Sequence, residues 1–270
     1  MPPVVEADVG MQSVRISIIG QVDSSKWAIG EALLRMMGSA DSRLFPERIG
    51  NSEPLQNIFS GISSAEKYWA PEVKICSSGV SFVAKSNVLW VRSKAIKGRG
   101  HMTHRSVNVQ GKVNPAWLLL EYKYDPRVNW FRLFKESCNL LQATYGTLHL
   151  FTGKETSEGV FGQDADLSFA TSDFIDGLPP IGLEKRGLAN IAWANYFGPE
   201  LVAEIDRTAL QLNGFPVEEQ EHDACVFCVT KKIGDVIDDF ETFSSRRNRL
   251  KTLFRSGLFR IGKEPRENQF

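Results

Sequence analysis

The stretch that decides the fold runs from Trp117 to Phe151: Trp117-Leu118-Leu119-Leu120-Glu121-Tyr122-Lys123-Tyr124, a polar connection at Asp125, an amphipathic run from Asn129 to Ala143, then Tyr145-Gly146 and Thr147-Leu148-His149-Leu150-Phe151. The first and last runs read as strands and the middle one as a helix, so the centre of the chain is a strand-helix-strand unit. Upstream, Val14 to Val22 alternates apolar and polar at first and reads as another strand. Asp23 or Ser24 can cap a helix that follows through about Gly38, with Trp27, Leu33, Leu34 and Met37 on its buried face. The two units echo each other. In each, a strand ends near an acid (Asp23, Asp125), a tryptophan follows (Trp27, Trp130) and a helix runs to a glycine (Gly38, Gly146). A capping acid with an aromatic staple recurs at such junctions without shared origin, so the echo alone does not establish a duplication.

Between and beyond these units the pattern is mixed. Prolines 46, 54 and 71 and glycines 50 and 61 break residues 41 to 72, leaving room for a short helix near Ile62 to Trp69. Runs near 79–84 and 88–93 predict a hairpin turning at Lys85-Ser86-Asn87, and residues 94 to 114 read as a loop. Ala224 to Thr230 reads as a strand. Ile237, Phe240, Phe243, Leu250 and Phe254 recur at helical spacing within one long helix from about Ile233 to Phe254. Strands clustered with helices, without strict alternation, predict an α+β fold: a mixed or antiparallel sheet with packed helices. The expected organisation is a single domain over 1–270, which can be divided into halves at 11–112 and 113–262.

Composition narrows the partners. The 270 residues are 42% hydrophobic and 24% charged, and 32 basic side chains balance 32 acidic ones, so the whole chain is not biased toward nucleic acid or an anionic membrane. The N-terminal residues carry neither a basic nor an apolar leader segment, and no apolar run approaches the roughly 20 residues that span a bilayer. A cytoplasmic protein is expected. Cys76, Cys138, Cys225 and Cys228 are too few for a disulfide framework.

Candidate chemistry is sparse. Cys225-Val226-Phe227-Cys228 with His222 could suggest zinc or a redox pair, but a fourth ligand is missing nearby and a strand directs residues three apart to opposite faces. His101 and His104 could share a metal, yet Gly98-Arg99-Gly100 before them reads as a basic, solvated loop that would repel a cation. The chain has neither a Gly-x-Ser-x-Gly elbow nor a glycine-rich phosphate loop. The expectation is no catalytic residue, metal, cofactor or small-molecule substrate.

Charge is segregated locally. From Glu155 to Glu184 there is no lysine or arginine, while Glu155, Glu158, Asp164, Asp166, Asp173, Asp176 and Glu184 supply acids interleaved with Phe161, Phe169 and Phe174. Such a run is either a solvated face or a surface that meets a basic partner. Two basic stretches oppose it: Arg92, Lys94, Lys97, Arg99 and Arg105, and then Arg246, Arg247, Arg249, Lys251, Arg255 and Arg260 on the last helix. They either bind nucleic acid or balance nearby acids.

The segment Asn190-Ile191-Ala192-Trp193-Ala194-Asn195-Tyr196-Phe197-Gly198-Pro199-Glu200 reads as strand, turn and helix, with Pro199 suited to a first helical turn. Trp193 and Phe197 fit a packed corner, and Asn195 is either a turn-maker or a buried hydrogen-bonding anchor. This segment resembles one in bacterial immunity proteins paired with restriction-endonuclease-like toxins, of the type VI secretion and polymorphic-toxin kind. The specific likeness covers Gly187 to Ile205, with Trp193, Asn195, Tyr196, Phe197, Gly198 and Pro199 at the family's aromatic-Asn-aromatic-Gly-Pro run. The resemblance implies a non-enzymatic α+β antitoxin that binds its cognate secreted toxin in the bacterial cytoplasm. A nuclease toxin carries a positive groove, so Glu158, Asp164, Asp166, Asp173 and Asp176, with Phe161 and Phe169 as anchors, are the expected toxin contacts. The alternative is a nucleic-acid-binding protein using the 92–105 loop and the C-terminal helix.

Overall fold

A computed structural model describes residues 12–77, 80–107, 111, 113–151, 188 and 190–259. In chain order the elements are β1 (Ser13–Gly20), α1 (Trp27–Ala40), β2 (Arg48–Gly50), β3 (Asn57–Ile58), α2 (Glu66–Trp69), β4 (Glu72–Ser77), β5 (Val80–Lys85), β6 (Val88–Arg92), β7 (Gly98–Thr103), β8 (Ser106–Val107), β9 (Val113–Asn114), β10 (Ala116–Lys123), α3 (Trp130–Leu140) and β11 (Ala143–Phe151). Then follow β12 (Ala194–Phe197), α4 (Pro199–Val202), α5 (Arg207–Leu212), β13 (Val217–Gln220), β14 (Ala224–Cys228), α6 (Asp235–Asp238) and α7 (Phe240–Lys251).

The fold is α+β. A 10-stranded sheet runs in the order β13-β14-β12-β11-β1-β10-β7-β6-β2-β3, and its described pairings are antiparallel. β1 lies between β10 and β11, so strands from 11–112 and from 113–262 share one sheet. Ile16 stands opposite both Leu120 and Leu148, and Val14 opposite Tyr122 and Leu150. Directly opposed residues share a face. That face is buried with Leu33, Leu34 and Met37 of α1 and Leu133 and Phe134 of α3 in one hydrophobic core. Gly146 sits on it because α3 comes close: a Cβ there would lie 2.8 Å from the Cys138 sulfur. The opposite face is covered toward β11, β12 and β14 by the C-terminal aromatics, with Phe254 5.7 Å from Phe227 and 6.0 Å from Phe197 between ring centres.

Four sequence expectations change. The hairpin expected between 79–84 and 88–93 does not form; β5 pairs with β4, while β6 joins the main sheet between β7 and β2. Lys85-Ser86-Asn87 lacks the glycine of a tight hairpin turn, and β6 gains more by pairing inside the large sheet. The 94–114 segment is not a loop, for it contains β7, β8 and β9. The long C-terminal helix is divided at Asp239, whose backbone leaves helical geometry and whose side chain caps the Thr242 N–H at 3.2 Å. Finally, α1 starts after Lys26 without a side-chain cap. Asp23 instead binds Ser25, and Ser24 is buried against His104.

Candidate functional site

The Trp193–Pro199 segment folds as its sequence suggests. β12 ends at Phe197, Gly198 is the N-cap and Pro199 opens α4. A Cβ on Gly198 would lie 2.4 Å from the Ala143 carbonyl oxygen, so only glycine fits there. The Gly198 N–H in turn donates to the Thr144 carbonyl at 3.0 Å. Asn195 fills both roles left open by the sequence. It is fully buried, its Oδ1 accepts from the Ala192 N–H at 2.9 Å, and its Nδ2 donates to the Ala192 carbonyl at 3.0 Å. The amide thus closes the turn into β12 as a second strand would.

The flanking aromatics bind both layers to this corner. Register places Tyr196 opposite Gly146, on the α3 face, and its hydroxyl donates to Asn139 of α3 at 3.1 Å. Phe197 faces the other way, against Tyr145, Phe227 and Phe254. The Trp193 N–H donates to His149 Nδ1, and its indole N–H to Thr230, both at 3.0 Å. Trp193, Asn195, Tyr196 and Phe197 are all buried, so this motif holds the sheet to its two helical layers and offers little to a partner.

The acidic contacts expected from sequence, Glu158, Phe161, Asp164, Asp166, Phe169, Asp173 and Asp176, lie outside the described residues. What is described is their frame. Before the window the last described residue is Phe151, at the end of β11, whose ring carries the Arg15 guanidinium 4.8 Å from its centroid. After the window the next described residue is Leu188, whose N–H donates to the Leu258 carbonyl at 2.7 Å, and the sheet continues with β12 from Ala194.

The basic stretches are largely engaged inside the molecule. Arg92 donates to the Phe45 and Ala95 carbonyls, Lys94 pairs with Glu47 at 3.3 Å, and Arg99 forms a two-nitrogen contact with Glu121. On the last helix, Arg246 donates to the Val229 and Gly214 carbonyls and stacks on Phe215. Arg247 is fully buried, Arg249 reaches Asn213, and Arg255 is paired with Glu204. A phosphate-binding surface needs cations free to meet solvent. Arg92, Arg246 and Arg247 thus help to hold loops and helices together, while Lys94, Lys97 and Arg99 stand exposed and Arg260 lies outside the described residues.

The histidine reading is corrected. His101 lies in β7, half-buried against Trp117, and His104 is buried rather than solvated. Its Nδ1 lies 3.2 Å from the Ser24 hydroxyl and its Nε2 2.5 Å from the Trp69 carbonyl, an arrangement that suits a neutral ring with Nε2–H donating. Burial holds both histidines below their ordinary pKa. Cys225 and Cys228 sit in β14, and burial pushes both thiols up to about 12, away from the thiolate that redox chemistry or zinc requires. His222 stands in the turn before β14 beside Glu221. Among the described residues, three or more metal-binding side chains do not come together.

Two ion-pair groups escaped the sequence reading because the links that join them, Arg43 to Asp125 and Glu121 to Arg15 and Arg99, connect segments distant in the chain. Asp125, at the end of the strand-helix junction, accepts from Arg127 and from Arg43, and Arg43 also binds Asp41. The Arg127 hydrogen bond leads in holding the Asp125 carboxyl well below the usual carboxylate range. Across the sheet, Arg15, Glu121 and Arg99 are neighbours in register, and Glu121 bridges both arginines at 2.9 and 2.8 Å. The spacing of opposite charges on different strands carries no local signal, which is why only the pairing revealed them.

The chain matches no protein-family model and no curated protein at a significant level. Among solved structures it is similar to "Pseudomonas aeruginosa T6SS protein PA0821", with a TM-score of 0.57 and 10% identity over 93% of this chain and 80% of that one. At that identity the likeness is one of fold. Among the described residues, no helix is long and apolar enough to cross a membrane.

Proposed function

We propose that this chain is a non-enzymatic immunity protein that binds and neutralises a cognate secreted toxin of nuclease type in the bacterial cytoplasm. The observation that carries this reading is the resemblance of Gly187 to Ile205 to the immunity-protein segment, joined to a fold shared over most of its length with a type VI secretion protein. Two features support it. Several of the cations that a nucleic-acid-binding protein would present, Arg92, Arg246 and Arg247 among them, are engaged or buried within the fold. Burial holds the Cys138, Cys225 and Cys228 thiols protonated, away from the thiolate that a nucleophile or ligand needs, and both ring nitrogens of buried His104 are engaged in hydrogen bonds within the fold.

In this reading the buried motif builds the scaffold, and the lysine-free and arginine-free window before it meets the toxin. Carboxylates at Glu158, Asp164, Asp166, Asp173 and Asp176 would stand in for phosphates in the toxin's basic groove, with Phe161 and Phe169 as desolvated anchors. The test is co-purification with the toxin encoded beside this gene, followed by association kinetics for the Asp164→Lys, Asp166→Lys double variant. The expected result is a tight complex whose on-rate falls on charge reversal and loses its salt dependence. A neighbouring toxin that does not bind would sink the immunity reading. A tight complex with unchanged kinetics would remove the acidic window from it.

A further inference from the structure

Among the described residues six large hydrophobic side chains are exposed, and four of them, Val73, Val83, Val107 and Val113, lie on the two small sheets β4–β5 and β8–β9. These sheets stand apart from the ten-stranded one, and their feet meet where His104 binds Trp69. β4 and β5 form a ladder from Glu72↔Lys85 to Ser77↔Val80 with no third strand described on either edge. A lone two-stranded ribbon is marginal, and an unpaired edge with exposed β-branched residues is a template for another strand.

The hydrogen-bond phase of β4 fixes which residues face outward. The Ser86 N–H donates to the Pro71 carbonyl, so Pro71 and Val73 direct their backbone groups toward β5. Backbone groups alternate along a strand, and those of Glu72 and Lys74 therefore point to the open edge. Both side chains are exposed. Glu72 gives one oxygen, Oε1, to Lys85 at 2.9 Å, and Lys74 has no ion-pair partner among the described residues.

We propose that the chain self-associates through this edge, two copies pairing their β4 strands antiparallel about Val73. In that register Glu72 of each copy stands opposite Lys74 of the other. The backbone groups that must exchange hydrogen bonds are the outward ones, and Val73 meets its own counterpart at the closely spaced, non-hydrogen-bonded position. The interface is isologous and closes as a two-fold dimer. The strand therefore carries its own charge complement, which is why the occupant is a second copy.

The experiment is sedimentation equilibrium on the full chain across a concentration series up to millimolar, with Lys74→Glu, Glu72→Lys and the double reversal. A monomer–dimer equilibrium is expected. Each single change places two like-charged pairs across the axis and should weaken the dimer on the order of tenfold, and the double reversal should restore it. A chain that stays monomeric throughout overturns the proposal. So does a dimer that the single changes leave unaffected, or that the double reversal fails to restore.

Discussion

Replacing Asn195 by alanine tests the idea that its amide acts as a built-in strand segment. The side chain is fully buried and makes two hydrogen bonds to the backbone of Ala192, at 2.9 and 3.0 Å. Alanine removes both and leaves a buried N–H and a buried carbonyl without partners, each costing about 1–3 kcal/mol. The expected loss is about 2–6 kcal/mol, read from urea unfolding monitored by tryptophan fluorescence. At this chain length that corresponds to a melting temperature lower by roughly 5–15 °C. Asn195→Asp gives a sharper second arm. One carboxylate oxygen can still accept from Ala192, but the other then faces the Ala192 carbonyl, so the protonated acid is favoured in the fold. The folded pKa should rise above the unfolded value of about 4. Its contribution is then present below that value and is lost as pH rises through the folded pKa, so the deficit relative to the parent chain should be smaller near pH ~4 than near pH ~7. An alanine variant within about 0.5 kcal/mol of the parent would refute the reasoning, since that is the ordinary effect of a surface change.

Three further outcomes follow from the buried polar groups. Burial holds His101 and His104 below their ordinary pKa, so their contribution is complete above the unfolded value of about 6.5 and is lost as pH falls through the folded values; His104→Gln should flatten the fall in urea midpoint on acidification, and an unaltered slope would assign it elsewhere. Glu121→Ala strips the buried Arg15 guanidinium of its only carboxylate among the described residues, where Nε and Nη1 already lack a partner, and should cost about 3–5 kcal/mol in the same unfolding assay. Cys138 and Cys225 are buried and all three described thiols are held far above neutral pKa, so Ellman's reagent should label them only slowly at pH ~8 until denaturant is added; rapid native labelling would contradict their structural role.

Some of the architecture is written locally. The Trp117–Tyr124 and Thr147–Phe151 strands, the amphipathic face of α3, and the strand-turn-helix at Trp193–Pro199 all depend on periodicity within a dozen residues, and they form where expected, although α3 is capped by Asn129 and not by the acid Asp125. The choice of partner strand does not. β5 and β6 have similar apolar character, and only the large sheet decided that β6 joins β7 and β2 while β5 turns back to β4. The basic stretches looked alike from sequence whether they bound phosphate or a neighbour, because Glu121 and Glu204 lie on other elements.

By itself, then, the sequence determined the strands and helix of the Trp117–Phe151 unit, where the Gly198-Pro199 corner turns, and that acidic and basic residues are segregated along the chain. Tertiary structure alone decided strand order, the burial of His104, the pairing of Arg15 and Arg99 through one carboxylate, and the β4 edge left without a neighbouring strand among the described residues. The physical reason is range. Helical and strand periodicity are set by neighbours a few residues away, whereas burial, charge compensation and edge exposure depend on which distant segments the sheet brings side by side.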